Sequence, residues 1–213
     1  MREVLQRISQ LKIVPVVSIE DAQSAPALAD ALVAGGLPIA EITFRTAAAE
    51  KSIRAISSRK DLLVGAGTVL NVETAKRAAD AGARFIVSPG FNPKVVGWCV
   101  SNKLAITPGT ATPTDIEMAL EHGLEVVKFF PAEPMGGVRT LKMIAAPYGM
   151  MRFVPTGGID AGKLEEYLKF EKVLACGGSW MVGKELLAGG QWARVTELSR
   201  EAVQIAERVR PTT

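Results

Sequence analysis

Histidine is almost missing: His122 is the only one in 213 residues. A chain with one histidine has no histidine-built zinc cluster and no obvious imidazole base. Cysteine is nearly as scarce. Cys99 and Cys176 stand far apart in apolar surroundings, which fits buried free thiols rather than a disulfide framework or a metal pair. No hydrophobic run reaches membrane-spanning length, and the N-terminus carries no signal-peptide core. No membrane association is expected, and the cytoplasm is the expected location. Charge of one sign is not concentrated anywhere. The 25 Lys and Arg residues are dispersed among 22 Asp and Glu, for a net charge of +3, so no nucleic-acid-binding stripe is present. The Gly-x-Gly-x-x-Gly fingerprint is absent from the first strand–helix turn, which argues against an open dinucleotide-binding sheet.

What remains is an ordinary folded composition, 48% hydrophobic and 22% charged, in a length that suits one domain over residues 1–213. A short amphipathic helix over 3–10 comes first. Apolar strand-like runs then follow at 12–18, 38–44, 62–66, 84–87, 104–107, 124–129, 151–154 and 172–175. Each is followed by a helical segment: 21–33, 47–58, 72–81, 93–101, 113–122, 137–146, 161–168 and 180–187. Thr46, Asn71, Thr112 and Asp160 are candidate caps, Pro93 and Pro113 suit first helical turns, and Gly35-Gly36 and Gly82 suit helix ends. A last amphipathic helix covers 193–208. Eight strand–helix units with uniformly apolar strands predict a parallel sheet closed as a (β/α)8 TIM barrel; an open doubly wound sheet is the alternative.

Barrels of this kind hold their sites at the C-terminal strand ends. Lys128 lies in such a run, Val126-Val127-Lys128-Phe129-Phe130-Pro131. Strand alternation puts Glu41, Thr43 and Arg45 on one face of the second strand, and Lys128 and Phe130 on one face of the sixth. An inward lysine and carboxylate suit imine chemistry. Lysine attacks a carbonyl as the neutral amine, its ordinary pKa being about 10.4. The iminium then draws electrons from the neighbouring carbon while the carboxylate moves protons. The competing reading is a buried salt bridge or an edge lysine. Gly157-Gly158 and Gly177-Gly178 follow the seventh and eighth strands, where barrels often bind phosphate through backbone N–H groups, and Ser179 adds a hydroxyl; tight turns are the plain alternative. Thr68, Thr110 and Thr156 are oxygen-binding candidates or loop caps. Phe130 either covers a planar adduct or fills the core. Asp115 and Glu117 read as solvated, the three tryptophans as packing or interface groups, and Glu133 either joins the site or ties down a loop.

Six segments carry a resemblance: Glu41-Ile42-Thr43-Phe44-Arg45-Thr46, Val64-Gly65-Ala66-Gly67-Thr68-Val69, Ile86-Val87-Ser88-Pro89-Gly90, Val127-Lys128-Phe129-Phe130-Pro131-Ala132-Glu133, Phe153-Val154-Pro155-Thr156-Gly157-Gly158-Ile159 and Gly177-Gly178-Ser179-Trp180. In this order they resemble the bacterial 2-dehydro-3-deoxyphosphogluconate (KDPG) and 4-hydroxy-2-oxoglutarate (KHG) aldolases along nearly the whole chain. The resemblance implies a class I aldolase of the Entner–Doudoroff pathway that cleaves a phosphorylated 2-keto-3-deoxy sugar acid to pyruvate and glyceraldehyde 3-phosphate. It implies Lys128 as the Schiff-base residue and Glu41 as the general acid/base. Arg45, Thr68, Pro89, Phe130 and Thr156 would shape the pyruvyl pocket, with Arg45 at the carboxylate. Gly157, Gly158, Gly178 and Ser179 would hold the distal phosphate. It further implies no metal or other cofactor, and a homotrimer. Ser18 stands where some relatives carry a basic residue, which bears on acceptor preference. Preference for 4-hydroxy-2-oxoglutarate or the phosphogalactonate epimer is the nearer alternative, and a non-catalytic barrel that binds a phosphorylated metabolite the more distant one.

Overall fold

In the computed structural model, which describes residues 1–209, nine short parallel strands alternate with helices. The order is α1 (Arg2–Leu11), β1 (Ile13–Val17), α2 (Ala25–Ala34), β2 (Ile39–Thr43), α3 (Ala49–Ile56), β3 (Leu63–Gly67), α4 (Val72–Asp80), β4 (Phe85–Val87) and α5 (Pro93–Ser101). There follow β5 (Ala105–Thr107), β6 (Gly109–Thr110), α6 (Pro113–Glu121), β7 (Val126–Phe129), α7 (Gly137–Ala145), β8 (Arg152–Pro155), α8 (Ala161–Leu168), β9 (Cys176–Gly178), α9 (Lys184–Ala188) and α10 (Trp192–Val209).

Six strands, in the order β5-β4-β3-β2-β1-β9, curve as an open half-barrel, and β6-β7-β8 form a second parallel sheet. Nearly every strand residue is buried, because the strands are covered on both faces. Pro108 separates β5 from β6, and its carbonyl accepts the Lys128 N–H at 2.9 Å. Single bridges, Phe153 to Val173 and Thr156 to Gly177, tie β8 to the segment around β9. Helix α1 packs on β1 and β5 and buries Val4 and Ile8.

Caps set the helix starts. Asn71, Asn92, Thr112 and Asp160 each accept backbone N–H groups in the first turn. The predicted cap Thr46 does not act as one: α3 starts after Ala48 with no side-chain cap, and the Thr46 hydroxyl donates to Ile19 O at 2.6 Å. Asp115 is not merely solvated but completes a capping box with Thr112, and Glu117 accepts from Tyr148. The helix expected over 180–187 is a 3-10 turn, Trp180–Val182, followed after Gly183 by α9.

The last strand also differs from expectation. The strand expected over 172–175 has the apolar run Val173-Leu174-Ala175, yet the ladder with β1 starts at Cys176, opposite Ile13, and runs through Gly178. Gly177-Gly178 is therefore a strand rather than a turn. Its glycines serve close packing: a Cβ on Gly177 would lie 2.3 Å from Thr156 Oγ1, and one on Gly178 would lie 1.9 Å from the Trp180 ring.

Candidate active site

Lys128 lies in β7 opposite Gly109 and Val154, and Glu41 lies in β2 opposite Val16 and Gly65. Both side chains are buried, Lys128 at 6% and Glu41 at 3% exposure. They meet at an internal cavity of about 10 Å³, with Thr107 and Thr156 beside them and Ile8 of α1 among the apolar wall residues. The backbone of Lys128 is pinned from one side. Pro108 O accepts its N–H, and the Thr110 hydroxyl donates to its carbonyl at 3.1 Å. The ammonium end lies 4.7 Å from the Phe130 ring centroid, within cation–π range.

Space for the carboxylate comes from glycine. A Cβ at Gly67 would fall 2.1 Å from Glu41 Oε1. Burial raises the Glu41 pKa above the ordinary carboxylate value, and the nearby positive charges of Lys128 and then Arg45 partly oppose it. A carboxylate shifted that way is a better proton acceptor at neutral pH.

Above this pair opens a mouth of about 340 Å³. Lys128 forms part of its wall, together with Arg45, Thr68, Pro89, Phe130, Thr156, Gly157, Gly158, Gly178 and Ser179. All the residues predicted to bind substrate thus surround one cavity. Arg45 sits exposed just past β2, and Ser179 is exposed just past β9. Gly109 lets the Pro89 loop close in, since a Cβ there would lie 2.0 Å from Pro89 O. Thr68 holds a left-handed backbone, φ 57°, which is strained for a β-branched residue and common where function dictates geometry. Gly157 and Gly158 have φ of 105° and 80° and do form a turn that only glycine adopts readily.

The sequence reading missed Val16 and Ile159, which also line the mouth, as does Gly177 of the predicted glycine pair. Strand alternation from Val14 would have found Val16. It also missed Lys163, five residues past Gly158, whose amine returns to donate to Gly158 O at 3.0 Å. Glu133 ties down a loop, with Tyr167 and Lys163 as its partners. A larger cavity, about 400 Å³, lies around α1 and the N-terminal ends of β3 and β4. Its polar residues are mostly exposed, Arg59 there is paired with Asp30 and Asp61, and it holds no buried lysine–carboxylate pair. Cys99 and Cys176 are buried, and burial pushes the Cys99 thiol up to about 12, away from nucleophilic reactivity. Among the described residues no His, Cys, Asp and Glu group of three or more could hold a metal ion, and no helix is long and apolar enough to cross a membrane.

A parallel α/β scaffold with a lysine and a carboxylate buried at the floor of one strand-end mouth defines an aldolase-type carbon–carbon lyase. The chain belongs to the KDPG and KHG aldolase family, whose model matches residues 4–198. It is 48% identical to the 2-dehydro-3-deoxy-phosphogluconate aldolase of Treponema pallidum over 206 residues, 96% of this chain and 98% of that protein. The 2-keto-3-deoxy-6-phosphogluconate aldolase of Zymomonas mobilis, solved with 3-phosphoglycerate, superposes with a TM-score of 0.88 at 39% identity, covering 96% of this chain and 97% of that one. The KDPG aldolase of Legionella pneumophila, solved with pyruvate captured at low pH as a covalent carbinolamine intermediate, gives 0.90 at 34% identity over 93% and 97%.

Proposed function

We propose that this chain is a class I aldolase that cleaves 2-dehydro-3-deoxy-6-phosphogluconate to pyruvate and glyceraldehyde 3-phosphate. The observation that carries this reading is the burial of Lys128 and Glu41 together beneath a mouth rimmed by Arg45 at one position and the Gly157-Gly158 turn at another. The names and bound molecules of the Treponema, Zymomonas and Legionella relatives support the same substrate and the same covalent chemistry.

The steps follow from the roles. The neutral Lys128 amine attacks the C2 ketone to give a carbinolamine, and loss of water gives the iminium. Glu41 takes the proton of the C4 hydroxyl. The C3–C4 bond breaks, its electrons pass into the iminium, and the aldehyde leaves. The resulting enamine takes a proton at C3 from Glu41, and water hydrolyses the iminium to pyruvate and free Lys128. Arg45 holds the substrate carboxylate, and Thr68, Pro89, Phe130 and Thr156 shape the pyruvyl half. Gly157, Gly158, Gly178 and Ser179 receive the phosphate through amides and a hydroxyl. Covalent lysine chemistry needs no metal.

In this reading the two sheets are one closed eight-stranded barrel. Pro108 joins β5 and β6 into a single bent strand, and the bridges from Phe153 and Thr156 close the ring at β9. The described residues form one cytoplasmic domain, assembled as a homotrimer. The experiment is a comparison of kcat/KM for the phosphogluconate substrate, its phosphogalactonate epimer and 4-hydroxy-2-oxoglutarate. The first is expected to be highest. Equal or higher values for either of the others would replace the named substrate.

A further inference from the structure

The loop that follows Lys128 lies along the turn that follows β8. Ala132 N–H donates to Thr156 O at 2.8 Å, and Glu133 N–H donates to Gly157 O at 3.0 Å. The Glu133 side chain then reaches two groups of α8. Its Oε1 accepts from the Tyr167 hydroxyl at 2.6 Å, and its Oε2 pairs with Lys163 Nζ at 3.1 Å. Lys163 Nζ also donates to Gly158 O at 3.0 Å. Both glycine carbonyls are therefore taken, one by the loop after β7 and the other by α8.

A trans peptide points its C=O and N–H in opposite directions. Holding the carbonyls of Gly157 and Gly158 fixes the N–H groups of Gly158 and Ile159 the other way. Neither of those N–H groups has a protein partner among the described residues, and both residues line the mouth. Two consecutive free amides in a left-handed turn form an anion-binding nest. Tyr167 is buried, and its hydrogen bond is the main cause of the lowered Glu133 pKa, with Lys163 adding to it. Glu133 in turn raises the Lys163 pKa, so the pair stays charged across neutral pH.

We infer that Glu133, Lys163 and Tyr167 are positioning residues for substrate selection: they clamp the Gly157-Gly158 carbonyls so that the amides of Gly158 and Ile159 face an anionic group in the mouth. The inference rests on the reading that this mouth takes a phosphorylated substrate. The clamp acts on the distal group and leaves the lysine chemistry untouched.

The test uses Lys163→Met, Lys163→Arg and Tyr167→Phe in the full chain. Each is measured for steady-state cleavage of the phosphorylated substrate and for deuterium exchange into the methyl group of pyruvate, which needs only imine and enamine formation. Lys163→Met is expected to raise KM about tenfold with kcat and pyruvate exchange changed less than about twofold. Lys163→Arg restores most of the loss. Tyr167→Phe removes no charge and is expected to raise KM in the same direction, which separates positioning from simple attraction. An unmoved KM in Lys163→Met or Tyr167→Phe would overturn the inference, as would pyruvate exchange falling in step with cleavage. Wild-type enzyme is compared first on phosphorylated and unphosphorylated 2-keto-3-deoxygluconate. Absence of a preference there overturns the substrate reading and the clamp with it, whereas a wild-type preference that survives in the variants overturns the clamp alone.

Discussion

Glu41 carries a proton more tightly in the fold than in the open chain, because burial outweighs the charges of Lys128 and Arg45. Stability from such a group is fully present below the ordinary glutamate value of about 4.3 and is lost as pH rises through the higher native value. Glu41→Gln removes this dependence. The melting-temperature difference, variant minus wild type, is expected to grow in the variant's favour between about pH 4 and pH 7. A difference that is flat with pH would contradict the burial account. The same substitution is expected to lower kcat by about 100-fold or more and to abolish the acid limb of the pH–rate profile, which in wild type lies above the usual carboxylate range. Thr68 gives a second residue-level test. Its left-handed backbone costs about 1–2 kcal/mol, while glycine adds about 0.5–1 kcal/mol of chain entropy to be lost on folding. Thr68→Gly is thus expected to leave the melting temperature level or slightly higher while kcat/KM falls about tenfold with the lost hydroxyl. A loss of more than about 1 kcal/mol of stability would show that the backbone is not strained.

Four helices end in one device. After α2, α4, α5 and α6, the N–H groups of Gly36 and Leu37, Gly82 and Ala83, Lys103 and Leu104, and Gly123 and Leu124 close back on the last turn. This double closure needs a left-handed residue, and each one leads directly into the next strand. Three of the four are glycine, and the fourth is Lys103 at φ 56°. Lys103→Gly is expected to stabilise by up to about 1 kcal/mol, or about 2–4 °C, with kcat/KM unchanged, since Lys103 lies at the far end of the strands from the mouth. A lower melting temperature in differential scanning calorimetry would contradict this.

Such punctuation is why the element order was legible: glycine ends, asparagine, threonine and aspartate caps, and apolar runs between them. It failed where tertiary contact overrides local pattern. Val173 to Ala175 reads as a strand, but pairing with β1 starts only at Cys176. Gly177-Gly178 reads as a turn, but is a strand pressed against Thr156 and Trp180. Thr110 reads as loop but extends the sheet beside Phe129. At the site, Lys128 and Glu41 were legible because charges in buried strands are exceptional. The Glu133–Lys163–Tyr167 network was not, since its partners are about 30 residues apart and meet only when α8 packs against the loop after β7.

At the scale of the whole molecule, the strands converge their C-terminal ends on one mouth, while α1 supplies Ile8 to the wall of the cavity beneath it. The family gives the chemistry a name, and burial sets few amines apart from the rest. The chain has twelve lysines. Among the described residues only Lys12 and Lys128 are buried, and Lys12 sits just before β1, at the opposite end of the strands from the mouth. The central claim is that Lys128 is the nucleophile. Incubation with pyruvate and borohydride, followed by peptide mass spectrometry, tests it directly. The account predicts a single reduced pyruvyl adduct on Lys128, which Lys128→Met abolishes together with cleavage. An adduct on Lys12 or any other lysine, or full activity without an adduct, would contradict it.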